Sequence, residues 1–112
     1  MTAPRLNRKL VLETPERVSD GAGGYLESWM PLGVIWAEVV ARTGRETGLS
    51  GEAVSAMNYR ITTRGAPYGA LDRPKPEQRF REGARVFVIQ AVAEDDLDGR
   101  YLTCFATEEV AV

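Results

Sequence analysis

The sequence predicts an all-β fold: a small antiparallel β-barrel of about six strands, with long connecting loops and at most one short helix. Three observations carry this expectation. Apolar residues recur at every second position in segments spread along the whole chain, the period of a half-buried strand. The 11 glycines and 6 prolines cluster between those segments, where turns need special backbone angles or a missing N–H donor. No strand-then-helix alternation recurs, so a parallel sheet with crossover helices is excluded. At 112 residues the chain has room for one core, and a single domain over residues 1–112 is expected.

Residues 6–13 place Leu6, Leu10 and Leu12 at even spacing, a first strand that Pro15 is expected to end. Residues 20–24 hold three glycines beside Asp20 and read as a hairpin loop. Residues 25–40 alternate aromatic and polar side chains, break at Pro31 and Gly33, and resume through Ile35, Trp36 and Val39. They predict a kinked strand or two short ones. From Ser50 onward the helical spacing of Ala53, Ala56 and Met57 allows one short capped helix. Residues 57–63 return to strand, with Tyr59 and Ile61 alternating with Arg60 and Thr62. In the stretch that follows, from residue 65 to 76, Pro67, Pro74 and Pro76, with Gly69, deny both helix and ladder and make a long loop. Residues 78–81 and 84–92 read as two strands about a turn at Glu82-Gly83, the second placing Val86, Val88, Gln90 and Val92 on one face. An acidic turn over 94–99 leads to a last strand, in which Tyr101, Thr103 and Phe105 alternate with Leu102 and Cys104. Strand following strand in this way predicts a meander.

Composition narrows the function classes. The 14 basic and 16 acidic residues leave a net charge of -2, against the positive field of a free-standing nucleic-acid binder. A single cysteine, Cys104, permits no internal disulfide, so synthesis in the cytoplasm is expected. No run of about 18 apolar residues provides a membrane span, and residues 1–12 lack a signal peptide's apolar core, so neither insertion nor export is expected. Histidine is absent, which removes the commonest general base and metal ligand.

The remaining candidate sites have plainer explanations. Cys104 sits inside a strand pattern and reads as core. Glu94 to Gly99 begins like a calcium loop, but Phe105 stands where the bidentate glutamate belongs, leaving a solvated turn. Gly21, Gly23 and Gly24 precede a strand and no Gly-Lys-Ser/Thr follows, so turn chemistry explains them. Nothing in the sequence brings Glu38 and Glu46 together as an acid/base pair. No catalytic residue, cofactor or metal is therefore assigned, and no enzyme is expected. Trp29 and Trp36 suit an interface, with at least one expected in the core. Arg42, Arg45, Arg60, Arg64, Arg73, Arg79 and Arg81 read as separate solvated charges that a symmetric oligomer would gather into a positive girdle.

The order of these elements resembles the head-tail joining family of tailed bacteriophages, the head-closure or stopper connectors, and their gene transfer agent counterparts. The resemblance runs through Leu6 to Leu12, Asp20 to Gly24 with Tyr25 and Trp29, Trp36-Ala37-Glu38-Val39, Gly44-Arg45-Glu46, Tyr59-Arg60-Ile61, Phe87 and Ile89, and Leu102 and Cys104. It implies a structural connector that forms a homo-oligomeric ring, hexamer or dodecamer, at the neck of a phage or phage-like particle assembled in the bacterial cytoplasm. Such a ring meets the portal and adaptor on its head side and a tail terminator or other tail proteins on the other. It closes the DNA channel and touches the packaged double-stranded DNA without sequence preference; no membrane is involved. The resemblance assigns Gly44, Arg45, Glu46, Thr47, Gly48, Leu49, Ser50, Gly51 and Glu52 to a loop facing the channel or a neighbouring subunit. Pro67, Tyr68, Leu71, Asp72, Arg73 and Lys75 form a second loop, expected to meet adaptor or tail. The alternative function is a small OB- or SH3-like module binding single-stranded nucleic acid or a peptide, whose mark is salt-sensitive binding by the monomer.

Overall fold

In a computed structural model, which describes residues 3–42, 57–95 and 98–109, six strands appear and no described residue is helical. They are β1 (Arg8–Ser19), β2 (Tyr25–Ala41), β3 (Met57–Arg64), β4 (Arg79–Glu82), β5 (Arg85–Glu94) and β6 (Tyr101–Glu109). The expected short helix from Ser50 falls outside the described residues.

The strands close into an antiparallel barrel in the order β1-β2-β3-β6-β5-β4. This is two consecutive meanders, β1-β2-β3 and β4-β5-β6, joined edge to edge, and it corrects the single meander expected from sequence. Local alternation marks each strand but carries no information about which strands meet. Because β3 and β4 stand on opposite walls, the proline-rich connection over 65–78 has to cross one end of the barrel. At its start, Gly65 N–H donates to the carbonyl of Arg100 at 2.7 Å. A Cβ on Gly65 would land on the carbonyl oxygen of Gly99, so only glycine fits this approach.

The interior is filled by alternate residues of all six strands: Leu10, Leu12, Ala37, Ile61, Phe80, Phe87, Ile89, Cys104 and Ala106. In β5 a register shift between Ile89 and Ala91 leaves Gln90 as a bulge. The bulge reverses the alternation, so Phe87 and Ile89 point inward before it and Val92 packs on the core after it. The single face expected for Val86, Val88, Gln90 and Val92 is corrected accordingly. β4 and β5 turn through Gly83 and Ala84, with Gly83 at φ 60, the first central position of a type II′ hairpin.

Pro15 does not end the first strand. β1 continues to Ser19 against β2, while its ladder to β4 covers only Val11 to Glu13. Pro15 therefore lies where one edge of β1 is free, and its missing N–H costs no ladder bond there. On β2, Leu32 is the extra residue between Leu12↔Gly33 and Glu13↔Pro31, so residues 25–41 form one strand kinked by a bulge. Neither tryptophan is in the core. Trp36 lies between the inward Ile35 and Ala37 and is exposed, while Trp29 is half-buried beneath the Arg79 guanidinium, 4.1 Å from the ring centroid.

Candidate functional site

The two ends of the barrel are built differently. At the end where β2 finishes and β3 begins, the inward alternation continues past the last apolar residue with charged or hydroxyl side chains. Arg8 precedes Leu10, Tyr59 precedes Ile61, Glu82 follows Phe80, Arg85 precedes Phe87, and Glu108 follows Ala106. Together they form an ionic plug. Arg8 grips Glu82 through two bonds, Nε to Oε2 at 2.7 Å and Nη2 to Oε1 at 2.6 Å. Arg85 Nε donates to Glu108 Oε2 at 2.7 Å, and Tyr59 donates its hydroxyl proton to Glu108 Oε1 at 3.0 Å. These bonds hold Glu82 and Glu108 below the usual carboxylate range, and burial together with the bond to Glu108 pushes Tyr59 upward.

A second ionic group lies on the outer wall. Glu13 is only 5% exposed, and its two oxygens accept from Arg79 Nε at 2.7 Å and Arg81 Nε at 3.0 Å. Burial raises the Glu13 pKa, but the bonds from the two arginines outweigh it and hold the carboxylate low. The register that sets Glu13 opposite Arg79 corrects the expectation of separate solvated charges for Arg79 and Arg81.

Three depressed carboxylates have one consequence for pH. A carboxylate held low in the folded state stabilises it above the unfolded-state value of about 4.3, and that contribution disappears as pH falls through the folded value. The urea midpoint is therefore expected to stay level between about pH 7 and 5 and to fall below about pH 4.3. Glu108→Gln should flatten that acid limb, and an unchanged limb would remove Glu108 from the account.

At the opposite end the crossing loop over 65–78 closes the barrel. Pro74 is fully buried, and the buried Arg73 donates from Nη1 to the carbonyl of Ala66 at 2.7 Å while lying 3.8 Å over the Tyr68 ring. Of the residues expected in the second contact loop, Pro67, Tyr68, Leu71, Asp72 and Lys75 face solvent, with Tyr68 82% and Leu71 72% exposed. Arg73 instead organises the loop from within, which corrects its reading as a solvated charge. A buried arginine in a loop with few other donors is a signal that sequence does not reveal. The nine residues from Gly44 to Glu52 lie outside the described residues, as do Arg45 and Glu46. Ala41 and Met57, which flank that stretch, stand at the ionic end, so the two expected contact segments leave the barrel from opposite ends.

Of the other arginines, Arg42 lies 5.1 Å over the Phe105 ring. Arg60 and Arg64 are exposed on the outer face of β3 and make no ion pair among the described residues. Glu38 accepts the backbone N–H of Arg5 at 2.9 Å. Among the described residues no cluster of potential ligands is placed to hold a metal ion. Cys104 is buried, and burial pushes its thiol up to about 12. It is expected to resist iodoacetamide at pH 8 in the native state and to react within minutes in urea; native-state labelling at the unfolded rate would contradict its place in the core.

The comparisons with known proteins agree with this architecture. No curated protein sequence matches the chain. A chain from a solved structure described as the virion of a native gene transfer agent particle is 54% identical, with a TM-score of 0.85, over 98% of this chain and 100% of that one. The family model for phage head completion proteins matches residues 1–109. This all-β barrel, matched over nearly its whole length by that model, belongs to the phage head completion protein family.

Proposed function

We propose that this protein is a structural connector that forms a homo-oligomeric ring at the neck of a phage-like particle, between the portal or adaptor and the tail, where it closes the DNA channel and docks the tail. The observation that carries the reading is the departure of the two expected contact segments from opposite ends of one barrel, in a chain 54% identical to one from a gene transfer agent virion. A subunit in a stacked neck needs two different faces along one axis, and this topology supplies them. The barrel interior is filled by side chains and plugged by Arg8, Glu82, Arg85 and Glu108, so DNA would pass between subunits and not through them. In this reading residues 44–52 face the channel, with Arg45 toward phosphate, and Tyr68 and Leu71 meet adaptor or tail.

Electron microscopy of particles from a null mutant tests this. Heads that have lost their DNA and lack tails are expected, with both defects rescued by the intact chain. Full heads with attached tails would overturn the connector role.

A further inference from the structure

Beyond Glu13 and Pro31 the β1–β2 pair leaves the barrel as a two-stranded arm. β1 pairs β4 only through Glu13, and β2 pairs β3 only from Ala37 onward, so both outer edges of the arm lack a ladder partner among the described residues. From Thr14 to Ser19 it reaches about 20 Å at strand rise. A two-stranded ribbon is by itself at best marginally stable in water, yet apart from Arg79 over Trp29 at its base this one carries Val18, Leu26 and Met30 exposed on the face continuous with the barrel interior, Leu26 at 62% exposure. Tyr25, at the tip, is 69% exposed. Pro15 interrupts the free edge of β1, which disfavours strand addition there and leaves the face for docking.

The arm is acidic: Glu16, Asp20 and Glu27 stand against Arg17 alone. Glu16 shares the face of Val18 and makes no ion pair among the described residues. The outer wall of the barrel is its complement. Val34 and Trp36 are exposed there, beside the cations Lys9 and Arg64, and Val34, Ile35, Trp36, Arg64, Gly65 and Asp72 line a shallow groove of about 220 Å³.

We infer that the β1–β2 arm of one copy lies across the outer wall of a second copy, seating Leu26 and Val18 against Val34 and Trp36 with Glu16 toward Arg64 and Lys9. The arm and the wall are different surfaces of the same chain, so the contact is heterologous and repeats from copy to copy, closing into a ring where the rotation allows. The inference rests on the ring reading above and names the interface that makes it.

The test is site-directed crosslinking in assembled particles, with the full chain carrying Leu26→Cys and Trp36→Cys together and a short bis-maleimide as probe. A ladder of multimers is expected from the double variant and its loss from either single variant. Amine crosslinking of unaltered particles reads the ring independently. If that gives multimers while the cysteine pair gives none, or if Leu26→Cys couples to a different particle protein, the arm inference fails and the ring stands. If neither reagent gives multimers, the ring reading fails and the inference with it.

Discussion

Phe87→Ala is expected to lower stability by about 3–5 kcal/mol, read as a shift of the urea midpoint. The ring is fully buried and sits opposite Phe80 in the β4–β5 ladder. It also meets Tyr59 edge-on, with centroids 5.1 Å apart and planes at 82°, and lies 4.9 Å beneath the Arg85 guanidinium. Truncation therefore opens a cavity in the core and removes the floor of the ionic plug at the same time. Domains of this size are held by only about 5–15 kcal/mol in total, so the variant should populate unfolded chain readily at moderate temperature. Val88→Ala, one residue along on the outer face, is expected to cost less than about 1 kcal/mol. Equal losses at the two positions would mean that the inward alternation of β5 is wrong.

Glu13→Ala is expected to cost about 2–3 kcal/mol. Removing one partner of a fully buried ion pair costs about 3–5 kcal/mol, and the Arg81 side chain, 40% exposed, recovers part of this by hydration. Arg79 is the more dependent partner, with its side chain 20% exposed. Freed from Glu13, it also loses the geometry that stacks it over Trp29 at the base of the arm. Amide exchange in residues 14–30 should therefore accelerate in Glu13→Ala beyond what global unfolding explains. The double variant Glu13→Ala, Arg79→Met should regain part of the lost stability, because it removes a charge left without its partner. Strict additivity of the two substitutions would show that Glu13 and Arg79 act independently.

If the arm serves an intersubunit contact, Glu13 links the stability of a single barrel to assembly, since the same carboxylate anchors both β4 and the root of the arm. The ionic plug at the far end has a different part to play. It satisfies charged groups where the barrel interior meets solvent, and through Tyr59 and Glu108 it ties the start of β3 to the end of β6.

The sequence by itself determined the strands, because alternation with a period of two is a local property. Leu10 and Leu12, Tyr59 and Ile61, and Leu102 and Cys104 declare an inward face without reference to any partner, and the glycines and prolines between them mark where ladders stop. The burial of Cys104 and the loop over 65–76 were legible for the same reason. Strand order, the bulges at Leu32 and Gln90, the persistence of β1 beyond Pro15, and the outward placement of both tryptophans were decided only by tertiary structure. Each depends on which edge is paired and where the register slips. So does the ion network: Glu13 meets Arg79 and Arg81 across 66 and 68 residues of chain, and Glu108 meets Tyr59 across 49. The one local hint was a charge two positions outside the first or last core residue of a strand, as with Arg8 before Leu10, Glu82 after Phe80 and Glu108 after Ala106. Closing the barrel turned those separate strand ends into a single plug, because the interior position nearest solvent is where a charge can be both packed and paired.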